Sequence, residues 1–281
     1  MSMWMGVGNE PTSMETTVQM DSTSKYQEAL EQAQNDAAHL FIPGVDVSDV
    51  SANGVPCAWH RAEGSNPNRV IFYLHGGGYV SCSLFTHRHV MSRLSTTTSS
   101  LVLGVDYRLA PVHPFPCALD DALTAYSWLL QQGFHARQVA VAGDSAGGGL
   151  AMALLLKIKQ ENPEDSLPSL FPSACILFSP WVDLTIGGKS LVENYETDRL
   201  FNPRRRTLRG SAQWLMAAKL KLQWKFVAKM YAQWPTRLDD PLVSPLYGRM
   251  DGLPPTMVHC TAEEMLLDDS LRLNEKMKQV G

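Results

Sequence analysis

Short apolar runs bounded by turn residues open the patterned part of the chain. Val45–Val50, Pro56–Arg61 and Val70–Leu74 read as strands, separated by the turn signals Ala52-Asn53-Gly54 and Gly64-Ser65-Asn66-Pro67-Asn68. Beyond Gly78 the apolar spacing switches repeatedly between the strand and helix periods. A helix near His87–Ser95 leads to a strand at Leu101–Asp106, and one near Cys117–Gln131 leads to a strand at Gln138–Ala142. A third helix, about Ala146–Gln160, leads to a strand at Ala174–Phe178. Strands alternating with helices predict an α/β fold, a mostly parallel central sheet covered by helices on both faces.

The alternation stops between Pro180 and Pro241. Within this stretch Trp214, Leu215, Leu220, Leu222, Trp224, Phe226, Val227 and Tyr231 fall at mixed helical spacing, which predicts a helical insertion over the sheet. The sheet resumes at Thr256–Cys260, and a helix runs from about Leu266 to Lys278. At the other end, Met1–Asp21 is polar and lacks periodicity. Ser22-Thr23-Ser24 can cap a helix reaching about Leu40, with Tyr26, Ala29, Ala33 and Ala37 as a weak apolar stripe. The predicted organisation is a loose arm over 1–21 and one α/β domain over 22–281, with cap elements at about 22–40 and 185–236.

Composition narrows the function classes. With 44% hydrophobic and 19% charged residues the chain reads as an ordinary globular protein. A net charge of −4 gives no reason to expect nucleic acid or an anionic membrane as partner. The cluster Arg204, Arg205, Arg206 and Arg209 reads as a solvated helix face. Five dispersed cysteines without CxxC spacing suit reduced thiols. No apolar run approaches the length of a membrane span, and the N-terminus lacks signal-peptide character, so a cytoplasmic location is expected. The oligomeric state stays open, a homo-oligomer included.

Two glycine-rich turns carry the chemistry. Gly143-Asp144-Ser145-Ala146-Gly147 matches G-x-S-x-G between a predicted strand and a predicted helix. Such an elbow lifts the serine above the sheet at a helix N-terminus, where the dipole favours a developing anion. His75-Gly76-Gly77-Gly78 follows the apolar strand VIFYL. Successive glycines expose backbone N–H groups that can converge on the oxygen that gains charge when an ester carbonyl is attacked. The N–H of Ala146, just after the nucleophile, supplies a further donor.

With HGGGY (His75–Tyr79), the segment Asp106–Pro111 with His113-Pro114-Phe115-Pro116, GDSAGG (Gly143–Gly148) and DPLVSPL (Asp240–Leu246), the chain resembles the hormone-sensitive lipase family of α/β-hydrolase esterases from about residue 40 onward. The resemblance implies an eight-stranded sheet, a cap built from the N-terminal helix and the insertion, no cofactor and no metal, and hydrolysis of small carboxylic esters. It makes Ser145 the nucleophile and Gly77, Gly78 and Ala146 the oxyanion donors, with His75 and Gly76 shaping that turn.

Aligned on the family spacing after the strand TMVHC, Glu264 falls at the acid position, with Asp268 as the alternate. Tyr107 and Arg108 read as structural, Arg108 pairing with Asp120 or Asp121. Asp144 is expected to orient at most, and Trp181 and Asp183 are candidates for a pocket floor. The family's histidine lies beyond one more strand, whereas all eight histidines here precede Glu264. The expectation is therefore a C-terminally truncated form, lacking the last strand and helix and impaired in proton transfer. The predicted function is a serine carboxylesterase for short- to medium-chain acyl esters. Two alternatives stand beside it: an amidase or deacetylase, and a non-catalytic small-molecule binder of the kind plant gibberellin receptors make from a similar scaffold.

Overall fold

A computed structural model describes residues 42–162, 167–202 and 211–280. The predicted arm, the helix ending near Leu40 and the Arg204–Arg209 cluster lie outside the described residues. Seven strands form one sheet: β1 (Val45–Ala52), β2 (Val55–Ala62), β3 (Asn66–Leu74), β4 (Ser100–Val105), β5 (Val139–Asp144), β6 (Ala174–Phe178) and β7 (Thr256–His259). Their order is β1-β2-β4-β3-β5-β6-β7. β1 and β2 pair antiparallel, as do β2 and β4; every other pairing is parallel. That is one strand fewer than the resemblance implies, and β7 forms the sheet edge among the described residues.

Helices α1 (Arg88–Thr98), α2 (Cys117–Gln131) and α3 (Ala146–Glu161) connect successive parallel strands. The strand period of two sorts β3 between two layers. Ile71 and Tyr73 join Met91 of α1 in one cluster, while Phe72 and Leu74 face the larger core under α2 and α3. Phe72 meets Tyr126 of α2 edge-on, ring centroids 5.5 Å apart. The helix α3 is buried on nearly all sides from Ala146 to Leu156, which is why its sequence is apolar rather than amphipathic.

β3 begins four residues earlier than the pattern predicts. Asn66 pairs with Ser100 across a register shift that ends at Val70, so a polar stretch that reads as a turn is strand backbone. A short α4 (Leu167–Leu170) precedes β6, and within the insertion a second short helix, α5 (Ser190–Glu193), precedes the long α6 (Ser211–Tyr231). The last helix, α7, spans Leu267–Lys278.

Candidate active site

β3 and β5 are parallel neighbours with Leu74 opposite Gly143, so the two glycine-rich turns leave the same edge of the sheet side by side. In the β5–α3 turn Ser145 adopts φ 51° and ψ −120°, a conformation that L-residues rarely hold. Three backbone hydrogen bonds fix it: its N–H donates to the Phe178 carbonyl (2.9 Å), and its own carbonyl accepts from Gly149 (3.1 Å) and Trp181 (2.8 Å). A Cβ at Gly147 would run into the carbonyls of Leu74 and His75, and one at Gly143 into the Gly147 carbonyl. Those two glycines bring the elbow against β3. The Ser145 side chain does not cap α3, which leaves its hydroxyl to the site.

The opposite turn is folded just as tightly. Gly77 (φ 118°) and Gly78 (φ 64°) occupy left-handed backbone. The Gly77 carbonyl accepts from the N–H groups of Val80 and Ser81 and from the Ser81 hydroxyl, which holds the Gly77–Gly78 peptide in place. Among the described residues the N–H groups of Gly77, Gly78 and Ala146 take part in none of the turn and loop hydrogen bonds.

Asp144 ties the two turns together. Its carboxylate accepts from the Tyr73 hydroxyl (2.6 Å) and the Gly76 N–H (2.9 Å), and His87 Nε2 stands 3.3 Å from its second oxygen. Burial alone would raise this carboxyl, but the contacts from His87 and Tyr73 outweigh burial and hold it below the ordinary carboxylate range. His87, on the segment leading into α1, thus reaches the nucleophile turn through Asp144.

His75 is fully enclosed. Its ring stacks on Tyr107 (4.3 Å), its Nδ1 lies 2.7 Å from the Gly76 carbonyl, and its own carbonyl accepts from the Tyr107 hydroxyl at 2.6 Å. Burial and the nearby His87 ring push its pKa down to about 4, so it is a neutral wedge. Arg108 donates to Asp121 through its backbone and guanidinium, the structural pairing anticipated from sequence.

A cavity of about 500 Å³ opens at Ser145, lined also by Ser179, Phe201, Thr261, Glu264 and Leu266. Glu264 Oε2 is buried there without a hydrogen-bond partner. Asp268, the alternate acid, is directed away: its carboxylate accepts from the N–H groups of Lys189 (2.6 Å) and Ser190 (3.1 Å). Trp181 and Asp183 are not among the lining residues. Trp181 packs against Trp224, and Asp183 is held by Thr185 and Arg272, so their place is beneath the loop rather than at the cavity floor. The nearby Asp269, which the sequence does not single out, accepts from the N–H groups of Val182 and Asp183, and burial raises its pKa to about 7.

No histidine is hydrogen-bonded to Ser145 or Glu264 among the described residues. His259 stacks edge-on against Phe178, and His87 is turned to Asp144. A larger groove of about 650 Å³ lies against β1 and β2, but its buried cysteine is a poor nucleophile: burial pushes the Cys57 thiol up to about 12. Among the described residues no cluster of side chains could hold a metal ion, and no helix is long and apolar enough to cross a membrane.

Residues 71–281 match the family model described as the alpha/beta hydrolase fold. The chain belongs to that family. Within it, the chain is 38% identical over 237 residues to an esterase of Acinetobacter venetianus, a match covering 84% of this chain and 70% of the relative. It is 33% identical to an acetyl-hydrolase of Streptomyces hygroscopicus, covering 90% and 75%. A solved esterase of the bacterial hormone-sensitive lipase family superposes with a TM-score of 0.76 at 33% identity, covering 90% of this chain and 77% of that one. The resemblance stated from HGGGY and GDSAGG therefore holds, and the chain is an α/β-hydrolase of the hormone-sensitive lipase type, a family of hydrolytic enzymes.

Proposed function

We propose that this chain hydrolyses carboxylic esters with short- to medium-length acyl groups through an acyl-enzyme. The observation that carries the reading is the shared crevice. The strained Ser145 elbow abuts a turn whose Gly77 and Gly78 amides are uncommitted, and the cavity that opens at Ser145 is also lined by Glu264, one of whose oxygens has no hydrogen-bond partner.

Ser145 Oγ attacks the ester carbonyl carbon, and the carbonyl oxygen takes up the electron pair as an oxyanion. The N–H groups of Gly77, Gly78 and Ala146 stabilise that charge, and the dipole of α3 adds to them. As the tetrahedral intermediate collapses, the alcohol leaves with a proton and the acyl group stays on Oγ; water then releases the acid. Glu264 is the carboxylate suited to orient a base, because it lines the cavity at Ser145 with one oxygen lacking a partner, while both amide contacts of Asp268 are structural. Leu200, Phe201 and Leu266 give the cavity apolar wall for an acyl chain.

Since no histidine bridges Ser145 and Glu264 among the described residues, proton transfer is the slow step in this chain. Loss of a triad member lowers turnover by roughly 10⁴ to 10⁶ while the oxyanion donors keep a residual rate. The test is labelling by a fluorophosphonate probe, which acts on the serine directly. Slow labelling that disappears in Ser145→Ala, together with p-nitrophenyl butyrate turnover far below that of an esterase with an intact triad, supports the proposal. Stable binding of small molecules with no labelling of Ser145 would instead favour a binding protein on this scaffold.

A further inference from the structure

The formal net charge of −4 conceals a strong asymmetry. The 40 residues from Arg199 to Leu238 hold ten arginines and lysines and not one aspartate or glutamate. The whole chain has 24 basic and 28 acidic residues, which leaves 14 basic against all 28 acidic in the remainder. The stretch 199–238 is therefore formally +10 and the remainder of the chain −14.

The described part of that stretch is dominated by α6, whose two sides differ. Leu220, Trp224, Ala228 and Tyr231 turn inward: Trp224 packs on Trp181 and Phe201, and Tyr231 stacks on Tyr79 at 3.8 Å. On the outer side Leu215, Leu222 and Phe226 are 73%, 71% and 64% exposed. Their spacing of seven and four residues puts them on one stripe of a 3.6-residue helix. Lys219, Lys221, Lys225 and Lys229 are the helix's charged residues, and the two at 219 and 225 flank the stripe on either side. Three residues past the helix, Trp234 is 93% exposed.

We propose that the outer face of α6 docks on the surface of an anionic phospholipid bilayer. An apolar ridge with lysines along both sides suits the interface between acyl chains and head groups: the ridge enters the apolar boundary while the lysine stems lie beside it and their ammonium groups meet phosphate. A polyanion such as nucleic acid would satisfy the positive charge but leave Leu215, Leu222 and Phe226 without apolar contact. The geometry also links the face to the cavity. The inner side of the same helix lies over the oxyanion turn, with Val227 Cγ1 3.2 Å from where a Cβ would stand on Gly78, and Phe201, which packs on Trp224, lines the cavity at Ser145. Docking would hold the cap against the interface from which an apolar ester must leave. The inference does not depend on catalysis by this chain.

The test is co-sedimentation of the full chain with lipid vesicles. Vesicles of phosphatidylcholine containing about one-third phosphatidylglycerol should bind at least about tenfold more tightly than phosphatidylcholine alone, with the difference removed by about 0.5 M salt. Leu222→Gln with Phe226→Gln should weaken binding about tenfold with the far-ultraviolet circular dichroism unchanged, since both side chains are outside the core. Lys219→Gln with Lys225→Gln should lower the preference for the anionic lipid. Failure of the full chain to sediment with anionic vesicles overturns the proposal. So does undiminished vesicle binding by the Leu222/Phe226 variant, which would indicate adhesion by charge alone. A dimer in light scattering that this variant dissociates, without vesicle binding, would assign the face to a second copy instead.

Discussion

Replacing Asp144 by alanine tests the junction between the nucleophile and oxyanion turns most directly. The carboxylate takes three contacts: the Tyr73 hydroxyl at 2.6 Å, the Gly76 N–H at 2.9 Å and His87 Nε2 at 3.3 Å. Hydrogen bonds to a charged group contribute about 1.5–3 kcal/mol each, and a buried donor left without a partner costs about 1–3 kcal/mol. Tyr73 is only 1% exposed, so its hydroxyl cannot turn to water. The Gly76 amide is buried as well, whereas the partly exposed His87 ring can be partly solvated, which lowers its share. Taken together the loss should be about 3–5 kcal/mol, read as a fall in the urea midpoint with an unchanged slope. Tyr73→Phe should cost less, about 1–2 kcal/mol, because it removes one donor and leaves the carboxylate with two partners. The double variant should cost clearly less than the sum of the two singles, since the residues share one bond. In the fluorophosphonate assay Asp144→Ala should also label Ser145 more slowly, because Gly76 is no longer tethered and the following amides lose their aim. A stability change within about 0.5 kcal/mol of the parent, with unaltered labelling, would refute the reasoning.

Other substitutions separate stability from chemistry. Glu264→Gln should leave stability unchanged or slightly raised, since it neutralises a carboxylate one of whose oxygens is buried without a partner, yet lower residual ester turnover; an equal loss of both would remove Glu264 from the site. Asp269 has its folded pKa raised to about 7 from an unfolded value near 4, so it binds its proton more tightly in the folded state. Its contribution is fully present below about pH 4, falls as the pH rises toward 7, and levels off above that. Asp269→Asn retains an acceptor for the Val182 and Asp183 amides and removes this dependence, so chemical unfolding should find it about 2–4 kcal/mol more stable than the parent at pH 8 and nearly equal at pH 4. Gly147→Ala should yield little folded protein in a thermal-melt assay, because its methyl group overlaps the Leu74 and His75 carbonyls; a melting point within a few degrees of the parent would contradict the close approach of elbow and β3.

Much of this protein is local and could be read from the chain alone. Alternating apolar runs and helical stretches dictate an α/β sheet because each strand must hide both faces beneath helices. GDSAGG and HGGGY mark their turns because only glycine tolerates such close backbone approach. Those same motifs point to Ser145, Gly77, Gly78 and Ala146. Net charge, by contrast, carries no information on distribution: a single sum hides the difference between the basic stretch 199–238 and an acidic remainder, and the α6 ridge disappears in a window average because its apolar residues lie on both sides of the helix.

Tertiary structure decided the rest. Glu264 and Asp268 are four residues apart and chemically alike; only folding makes one a lining residue of the cavity at Ser145 and commits the other to the Lys189 and Ser190 amides. His87 lies 57 residues before Asp144, and nothing along the chain pairs them until α1 is laid against the sheet. The division follows from range. Backbone strain and hydrophobic period act over a few neighbouring residues and leave their mark in the sequence, whereas a carboxylate's partners are set by which strands become neighbours, here β3 beside β5.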